Sequence, residues 1–93
     1  MIRLNCFFKA NEEAYTDALE VAIALTAHSQ GEEGCIAYDV FESATRGDVF
    51  MICETWADAE ALAAHSATDF FKESVAQLGR LGQLKLEQFD FGK

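Results

Sequence analysis

Alternating apolar positions at the start of the chain predict a β-strand. Ile2, Leu4, Cys6 and Phe8 share one phase, and apart from Phe7 the residues between them are polar or charged. A period of two is typical of a strand with at least one buried face. We therefore predict that the chain begins with a strand.

Three later segments also have strand character: residues 35–41, 49–56 and 84–91. In the first of them Ile36, Tyr38 and Val40 fall on one side. The polar stretch 43–48 separates the first two segments by the length of a hairpin loop, so we predict that they pair antiparallel. In the last segment the apolar phase slips by one residue, which predicts a β-bulge.

A helix is predicted between the first two strands. Asn11 can cap it, and Glu12 and Glu13 would lie in its first turn, at the positive end of the helix dipole. The apolar side of this helix has helical spacing: Tyr15, Leu19, Ala22, Ile23 and Thr26. Gly31 predicts its end, where His28 is expected to interact with the helix dipole.

Two short helices are predicted after the third strand. Asp58 and Glu60 open one that runs to Ser66, and Thr68 caps another that ends near residues 79–82. The element order is then β-α-β-β-α-α-β, the split βαβ or ferredoxin-like arrangement of an α+β protein with an antiparallel sheet. We expect one domain over residues 1–93.

The third strand predicts that both faces of the sheet are covered. Residues 49–53 do not alternate, and Phe7 and Phe41 lie opposite the main apolar sets of their strands. A two-layer α+β domain normally leaves one sheet face in water. A chain this short has no segment left to cover that face, so we predict a homodimer that packs sheet against sheet.

Charge and composition narrow the classes of partner. Seven Lys and Arg stand against 16 Asp and Glu in 93 residues, a formal charge of −9, which argues against nucleic acid and anionic membrane partners. Without a stretch long enough to span a membrane or to form a signal peptide, the chain is expected to be cytoplasmic. Cys6, Cys35 and Cys53 lack disulfide or zinc spacing, so we predict small buried apolar residues.

The candidate chemistry lies around the third strand and the helix after it. Glu54 and Trp56 share an otherwise apolar strand face, so Glu54 is either a pocket acid or base, or a carboxylate at the strand end in water or paired with a cation. His65 either points between helix and sheet or caps a fraying helix end. Asn5 could face a pocket or solvent, and Tyr38 needs a hydrogen-bond partner if it is buried.

Several short motifs together resemble one known family. They are Glu33-Gly34-Cys35, Tyr38, Glu54-x-Trp56, Ala61-Leu62, His65 and Phe71-Lys72. In this order and spacing they are similar to the antibiotic biosynthesis monooxygenase superfamily, including its small quinol monooxygenases. The resemblance covers nearly the whole chain and implies a dimeric α+β barrel in which two ferredoxin-like subunits pack sheet against sheet.

The same resemblance implies oxidation of a quinol or hydroxylated aromatic by O₂ without flavin, haem or metal. His65 would then be the base or hydrogen-bond donor, and five further residues would contact the substrate: Asn5, Tyr38, Glu54, Trp56 and Phe70. Phe70 stands where many members of the family have a second His. The Trp and His that the haem-degrading branch uses are replaced here by His65 and Val75, which disfavours haem degradation.

Two other functions remain open at this level. One branch of the superfamily processes a phosphorylated sugar signal, so the chain could instead be an isomerase of a phosphorylated hydroxyketone, because one His can also move a proton between adjacent carbons. The other alternative is a non-catalytic dimer that binds a small ligand in an apolar pocket.

Overall fold

The computed structural model of the protein describes residues 1–90. It consists of a four-stranded antiparallel sheet with three helices packed on one face. The elements are β1 (Ile2–Ala10), α1 (Tyr15–Gln30), β2 (Cys35–Glu42), β3 (Val49–Trp56), α2 (Ala59–Ser66), α3 (Asp69–Leu81) and β4 (Gly82–Asp90). The strand order is β2-β3-β1-β4, and each neighbouring pair is antiparallel. The predicted element order and the ferredoxin-like α+β fold are confirmed. Within the described residues no helix is long and apolar enough to cross a bilayer.

The inner face of the sheet forms the core with the helices. Phe8 of β1 is opposite Phe50 of β3, and their rings stack with centroids 4.8 Å apart. Helix α1 presents Ala18 and Ala22 to this layer, both fully buried, together with Leu25. Small side chains let the helix approach the sheet closely, so the aromatic rings fill the space between the layers.

The outer face of the sheet, which we define as the face away from the helices, is also apolar. Phe7, Met51 and Phe41 are neighbours on it across β1, β3 and β2, and Phe41 is 52% exposed. The run in β3 therefore lacks alternation because Phe50 points inward while Met51 points to the outer face. Single strands can be apolar on both faces when both faces meet apolar neighbours.

The predicted start of α1 is wrong. The helix begins at Tyr15, and its N-cap residue Ala14 makes no side-chain capping hydrogen bond. The backbone carbonyl of Asn11 instead accepts a hydrogen bond of 3.0 Å from the Ala14 N–H. The Asn11 backbone N–H donates to the carbonyl of Leu81, at the end of α3. Glu13 has a positive φ of 65°, so residues 11–14 form a turn rather than a helical first turn.

The predicted inward side of α1 also needs correction. Ile23 is 51% exposed, and the buried stripe runs instead through Ala18, Ala22, Leu25, Thr26 and Ser29. The stripe is made largely of small residues, which a hydrophobicity pattern underweights because they contribute little apolar area.

The predicted bulge lies in a different strand. Strand β4 pairs with β1 without interruption from Gly82 to Asp90, and Phe89 simply faces outward opposite Arg3. The irregularity is in β2, between Cys35 and Ala37, and it turns Ile36 away from the core. The phase slip in β4 needs no bulge because both faces of this edge strand carry apolar residues. Phe91, the predicted end of the strand, lies outside the described residues.

Candidate functional site

A mostly apolar cavity lies between the inner face of the sheet and the three helices. Its volume is about 280 Å³. Its walls are Leu4, Cys6, Leu25, Tyr38, Ile52, Glu54, Leu62, His65, Ser66, Phe71, Val75, Leu78, Leu84, Leu86 and Gln88. An apolar cavity with a few convergent polar groups is the usual form of a small-molecule site. Leu86 is 57% exposed, so the cavity opens to solvent along the edge strand β4.

Glu54 reaches the cavity because of its place in β3. It shares the inner face with Ile52 and Trp56, and its carboxylate Oε1 accepts a hydrogen bond of 2.9 Å from the indole Nε1–H of Trp56. Burial raises the pKa of Glu54, although the Trp56 hydrogen bond and the nearby His65 act to lower it. The alternative of a solvated carboxylate at the strand end is therefore wrong.

The ends of two short helices hold His65 at the cavity wall. Asp58 caps α2 by accepting a hydrogen bond from the Ala61 backbone N–H at 2.8 Å. Thr68 caps α3 by accepting from the Phe71 N–H at 3.1 Å, and its hydroxyl also donates to the His65 carbonyl at 2.9 Å. These contacts fix the backbone at His65, between the end of α2 and the start of α3. The residue is only 2% exposed.

One ring nitrogen of His65 has a hydrogen-bond partner, and the other has none among the described residues. Its Nδ1 lies 2.7 Å from Oε1 of Glu32, while Nε2 is buried without a hydrogen-bond partner among the described residues. An ionised carboxylate can only accept a hydrogen bond, so this contact places the proton of a neutral ring on Nδ1. The lone pair of Nε2 is then unpaired, and the His65 side chain is one of those that line the cavity.

Aromatic rings enclose the imidazole. The ring centroids of Trp56, Phe71 and Tyr38 lie 4.5, 4.8 and 5.6 Å from that of His65. Such packing leaves the ring few alternative rotamers, because each neighbour is itself held in the core. The surrounding rings therefore restrict the orientation of the imidazole relative to the cavity.

Gly34 brings Glu32 to His65. A β-carbon at Gly34 would overlap the side chain of Ala61, and the residue has a φ of +83°, which favours glycine. The Gly34 carbonyl also accepts a hydrogen bond of 2.8 Å from Ala57. Since His65 lies one helical turn after Ala61 on the same side of α2, docking the turn on Ala61 puts Glu32 beside the imidazole.

Two other groups of the cavity wall are poorly ionisable. Burial raises the pKa of the Tyr38 hydroxyl, and the Glu54 carboxylate raises it further. Burial likewise raises the pKa of the Cys6 thiol to about 11, with a smaller effect from Glu54. Neither a tyrosinate nor a thiolate is favoured here at neutral pH.

The structure brings together only part of the predicted site. His65, Glu54 and Tyr38 line the cavity, whereas Trp56 lies behind His65 and does not form the wall predicted for it. Phe70 is outside the cavity, where its ring stacks on His28 at 4.3 Å. Asn5 lies on the outer face, with its Nδ2 at 3.5 Å from Glu87 on β4, so it cannot contact the cavity of its own chain.

Glu32 and Phe71 are site residues that the sequence did not indicate. Phe71 belongs to the apolar stripe of α3, and nothing in the sequence distinguishes a stripe residue in a cavity wall from one in the packed core. Glu32 lies in a turn between Gly31 and Gly34, and such a turn at a helix end was its only signal. Hydrophobic periodicity carries no information about loop side chains.

Comparisons with known proteins agree with this fold. The family model for antibiotic biosynthesis monooxygenase matches residues 1–77. The Bacillus subtilis (strain 168) protein named "Putative monooxygenase YcnE" is 35% identical over 77 residues, which cover 83% of this chain and 81% of that protein.

Solved structures extend the agreement to nearly the whole chain. A protein of unknown function from Bacteroides thetaiotaomicron VPI-5482, described as a possible oxidoreductase, is 57% identical with a TM-score of 0.94, over 97% of this chain and 96% of that one. PA3566 from Pseudomonas aeruginosa is 26% identical with a TM-score of 0.90, over 99% of this chain and 94% of that one. The chain belongs to the antibiotic biosynthesis monooxygenase family.

Proposed function

We propose that the protein is a cofactor-independent monooxygenase that oxidises a small quinol or hydroxylated aromatic with O₂. The observation that carries the proposal is that His65 lines an apolar cavity, with its Nδ1 bonded to Glu32 and its Nε2 without a partner among the described residues. A neutral imidazole of this kind is suited to take a proton from an acidic O–H group. The family gives the reaction class, and the cavity limits the substrate.

The size and charge of the cavity define the substrate class. An apolar protein cavity of about 150 Å³ can hold benzene, so the volume of about 280 Å³ suits one or two fused rings and is too small for the four pyrrole rings of haem. The described wall contains Glu54 and no Lys or Arg. A neutral aromatic alcohol therefore fits better than a carboxylated or phosphorylated ligand.

The proposed reaction balances without an added redox group. The substrate O–H gives its proton to Nε2 of His65, and the resulting anion passes one electron to O₂ to form a substrate radical and superoxide. Their combination forms a C–O bond, and the peroxide anion takes the proton back from His65. Loss of water, which carries away the hydrogen on the oxygenated carbon, leaves a new carbonyl group, so one oxygen atom enters the product and the other becomes water.

The isomerase alternative is less well supported by the wall of the cavity. A phosphorylated hydroxyketone carries at least one full negative charge, and phosphate sites normally use Arg, Lys or a helix N-terminus. The described wall offers the Glu54 carboxylate instead. A phosphate in this cavity would be buried beside a like-charged or protonated acid without a compensating cation.

We also propose that two copies associate through the outer face. Phe7, Phe41 and Met51 leave an apolar surface there, and a second sheet of the same kind could cover it. Sedimentation equilibrium at micromolar concentration is expected to give two chains per particle. Met51→Lys should weaken association, whereas Ile23→Lys, which changes an exposed apolar residue of α1, should not. A monomeric wild-type protein would refute this part of the proposal.

Oxygen uptake with a panel of quinols and hydroxynaphthalenes tests the reaction directly. We expect turnover without added flavin or metal, and a loss of ~10²-fold or more in His65→Ala, the usual scale for a general base. Added imidazole should restore part of that loss, because the variant has a cavity of the right shape. Circular dichroism controls for folding. Binding without turnover would favour the ligand-binding alternative, and turnover of every active substrate undiminished by His65→Ala would refute the role of His65.

A further inference from the structure

We propose that Glu32 is a positioning residue that holds His65 in the Nδ1–H tautomer, and that His28 and Phe70 hold Glu32 in place. The inference rests on the proposed function, in which His65 is the base. It assigns a role to three residues outside the cavity wall. It also explains why His28, at the end of α1, is not simply a residue interacting with the helix dipole.

The Glu32 carboxylate is shared between two histidines. Its Oε1 lies 2.7 Å from Nδ1 of His65, and its Oε2 lies 3.0 Å from Nδ1 of His28. The His65 side chain is 1% exposed, that of Glu32 16% and that of His28 42%. The carboxylate therefore bridges a buried imidazole and one at the surface, and each of its oxygens has a separate partner.

His28 is itself held by α3. Its ring stacks on Phe70 with centroids 4.3 Å apart and an angle of 5° between the ring planes. A stacked ring cannot swing away from the carboxylate without losing that contact. Phe70, which the sequence placed among the substrate contacts, thus supports the far side of the Glu32 bridge.

The bridge determines which nitrogen of His65 carries the lone pair and can act as a base. With hydrogen on Nδ1, the lone pair is on Nε2, the buried atom without a partner. In the other tautomer Nε2 would carry the hydrogen and could not accept a proton from a substrate. The carboxylate also stabilises the imidazolium that forms when Nε2 takes the proton, as in other sites where a carboxylate orients a catalytic histidine.

Imidazole nitrogen NMR tests the tautomer without any substrate. At about pH 8.5, well above the ordinary imidazole pKa of about 6.5, wild-type His65 should show hydrogen on Nδ1 and a bare Nε2. Glu32→Gln should shift His65 toward the Nε2–H form, because the amide can also donate to Nδ1. Glu33→Gln removes the same charge from the exposed neighbouring residue and should leave the spectrum unchanged.

The remaining variants separate support by His28 from simple packing. His28→Phe keeps a ring to stack on Phe70 but removes the nitrogen that contacts Glu32, so a smaller shift of the same kind is expected. Glu32→Asp retains a carboxylate and should recover part of the Nδ1–H population that Glu32→Gln loses. In oxygen-uptake assays, Glu32→Gln should lower turnover by no more than the loss of ~10²-fold or more expected for His65→Ala, because Glu32 acts only through His65.

The outcomes distinguish this inference from the proposed function. An unchanged His65 tautomer in folded Glu32→Gln would overturn the positioning role, whatever the activity. A shifted tautomer in a protein whose wild type turns over no quinol would support the positioning role and refute the oxygenase proposal. A shifted tautomer with turnover lowered as stated would support both.

Discussion

Replacing Trp56 with phenylalanine should destabilise the protein mainly by removing the hydrogen-bond partner of a buried acid. The indole Nε1–H makes the one hydrogen bond to the Glu54 side chain found within residues 1–90. A hydrogen bond to a charged group contributes about 1.5 to 3 kcal/mol. The smaller ring also leaves a void of roughly 40 Å³, which at the usual cost per volume adds about 1 kcal/mol.

The expected loss in the free energy of unfolding is therefore about 3 kcal/mol. This is a large part of the total for an ordinary domain, which is about 5 to 15 kcal/mol. Urea unfolding at neutral pH measures it. Far-ultraviolet circular dichroism is the appropriate signal because Trp56 is the single tryptophan of the chain and its fluorescence is lost in the variant. Protein concentration must be the same for all variants, since dimerisation would make stability depend on concentration.

A second background separates the hydrogen bond from the void. Glu54→Met keeps a side chain of similar length but has no carboxylate, so Trp56→Phe in this background should cost about 1 kcal/mol at most, because removing an indole N–H that has lost its acceptor offsets part of the cost of the void. The difference between the two backgrounds measures the coupling between Trp56 and Glu54. An equal cost in both backgrounds would refute the claim that the indole stabilises the buried acid.

Three further results are expected. Gly34→Ala should cost about 1 to 3 kcal/mol for a strained positive φ, and in NMR it should weaken the Nδ1–H form of His65 by moving Glu32 away. Because burial raises the pKa of Glu54 above 4.5, the folded state holds this proton to higher pH than the unfolded chain does, so wild-type stability falls as pH rises from 4.5 through the folded pKa. In urea unfolding, the free energy of unfolding of Glu54→Gln relative to that of the wild type should therefore grow over this pH window and stay constant above it. With a pKa of about 11, Cys6 should react slowly with thiol reagents at pH 8 until the protein is unfolded, as mass spectrometry can measure.

The order of elements was predictable because each element carries its own pattern. Periods of two and of helical spacing, together with the caps at Asp58 and Thr68, define the strands and the helices of the second half. The start of α1 was not predictable in this way. The sequence Asn11-Glu12-Glu13 is typical of a helix N-terminus, but the Asn11 backbone is bound by α3, a tertiary contact that overrides the local preference.

The site was predictable only where a polar residue interrupts an apolar pattern. Glu54 stands out on the inner face of β3 and His65 follows an apolar helix face, and both line the cavity. Asn5 interrupts β1 in the same visible way, yet its position in the pleat puts it on the outer face. Glu32 interrupts nothing, because its turn has no periodicity, so only the approach of Gly34 to α2 reveals its role.

The balance of charges around the cavity bears on how the proposed reaction proceeds. Two carboxyl groups, those of Glu32 and Glu54, lie near His65, so the positive charge that the proposed proton transfer would place on its ring would have acidic groups beside it. The substrate anion formed in the same step meets no Lys or Arg in the described wall. An anion stabilised by a fixed cation gives up an electron less readily, whereas one held in an apolar cavity beside a carboxyl group retains its reducing power. In the proposed reaction, a wall without Lys or Arg among its described residues would therefore favour electron transfer from the substrate to O₂.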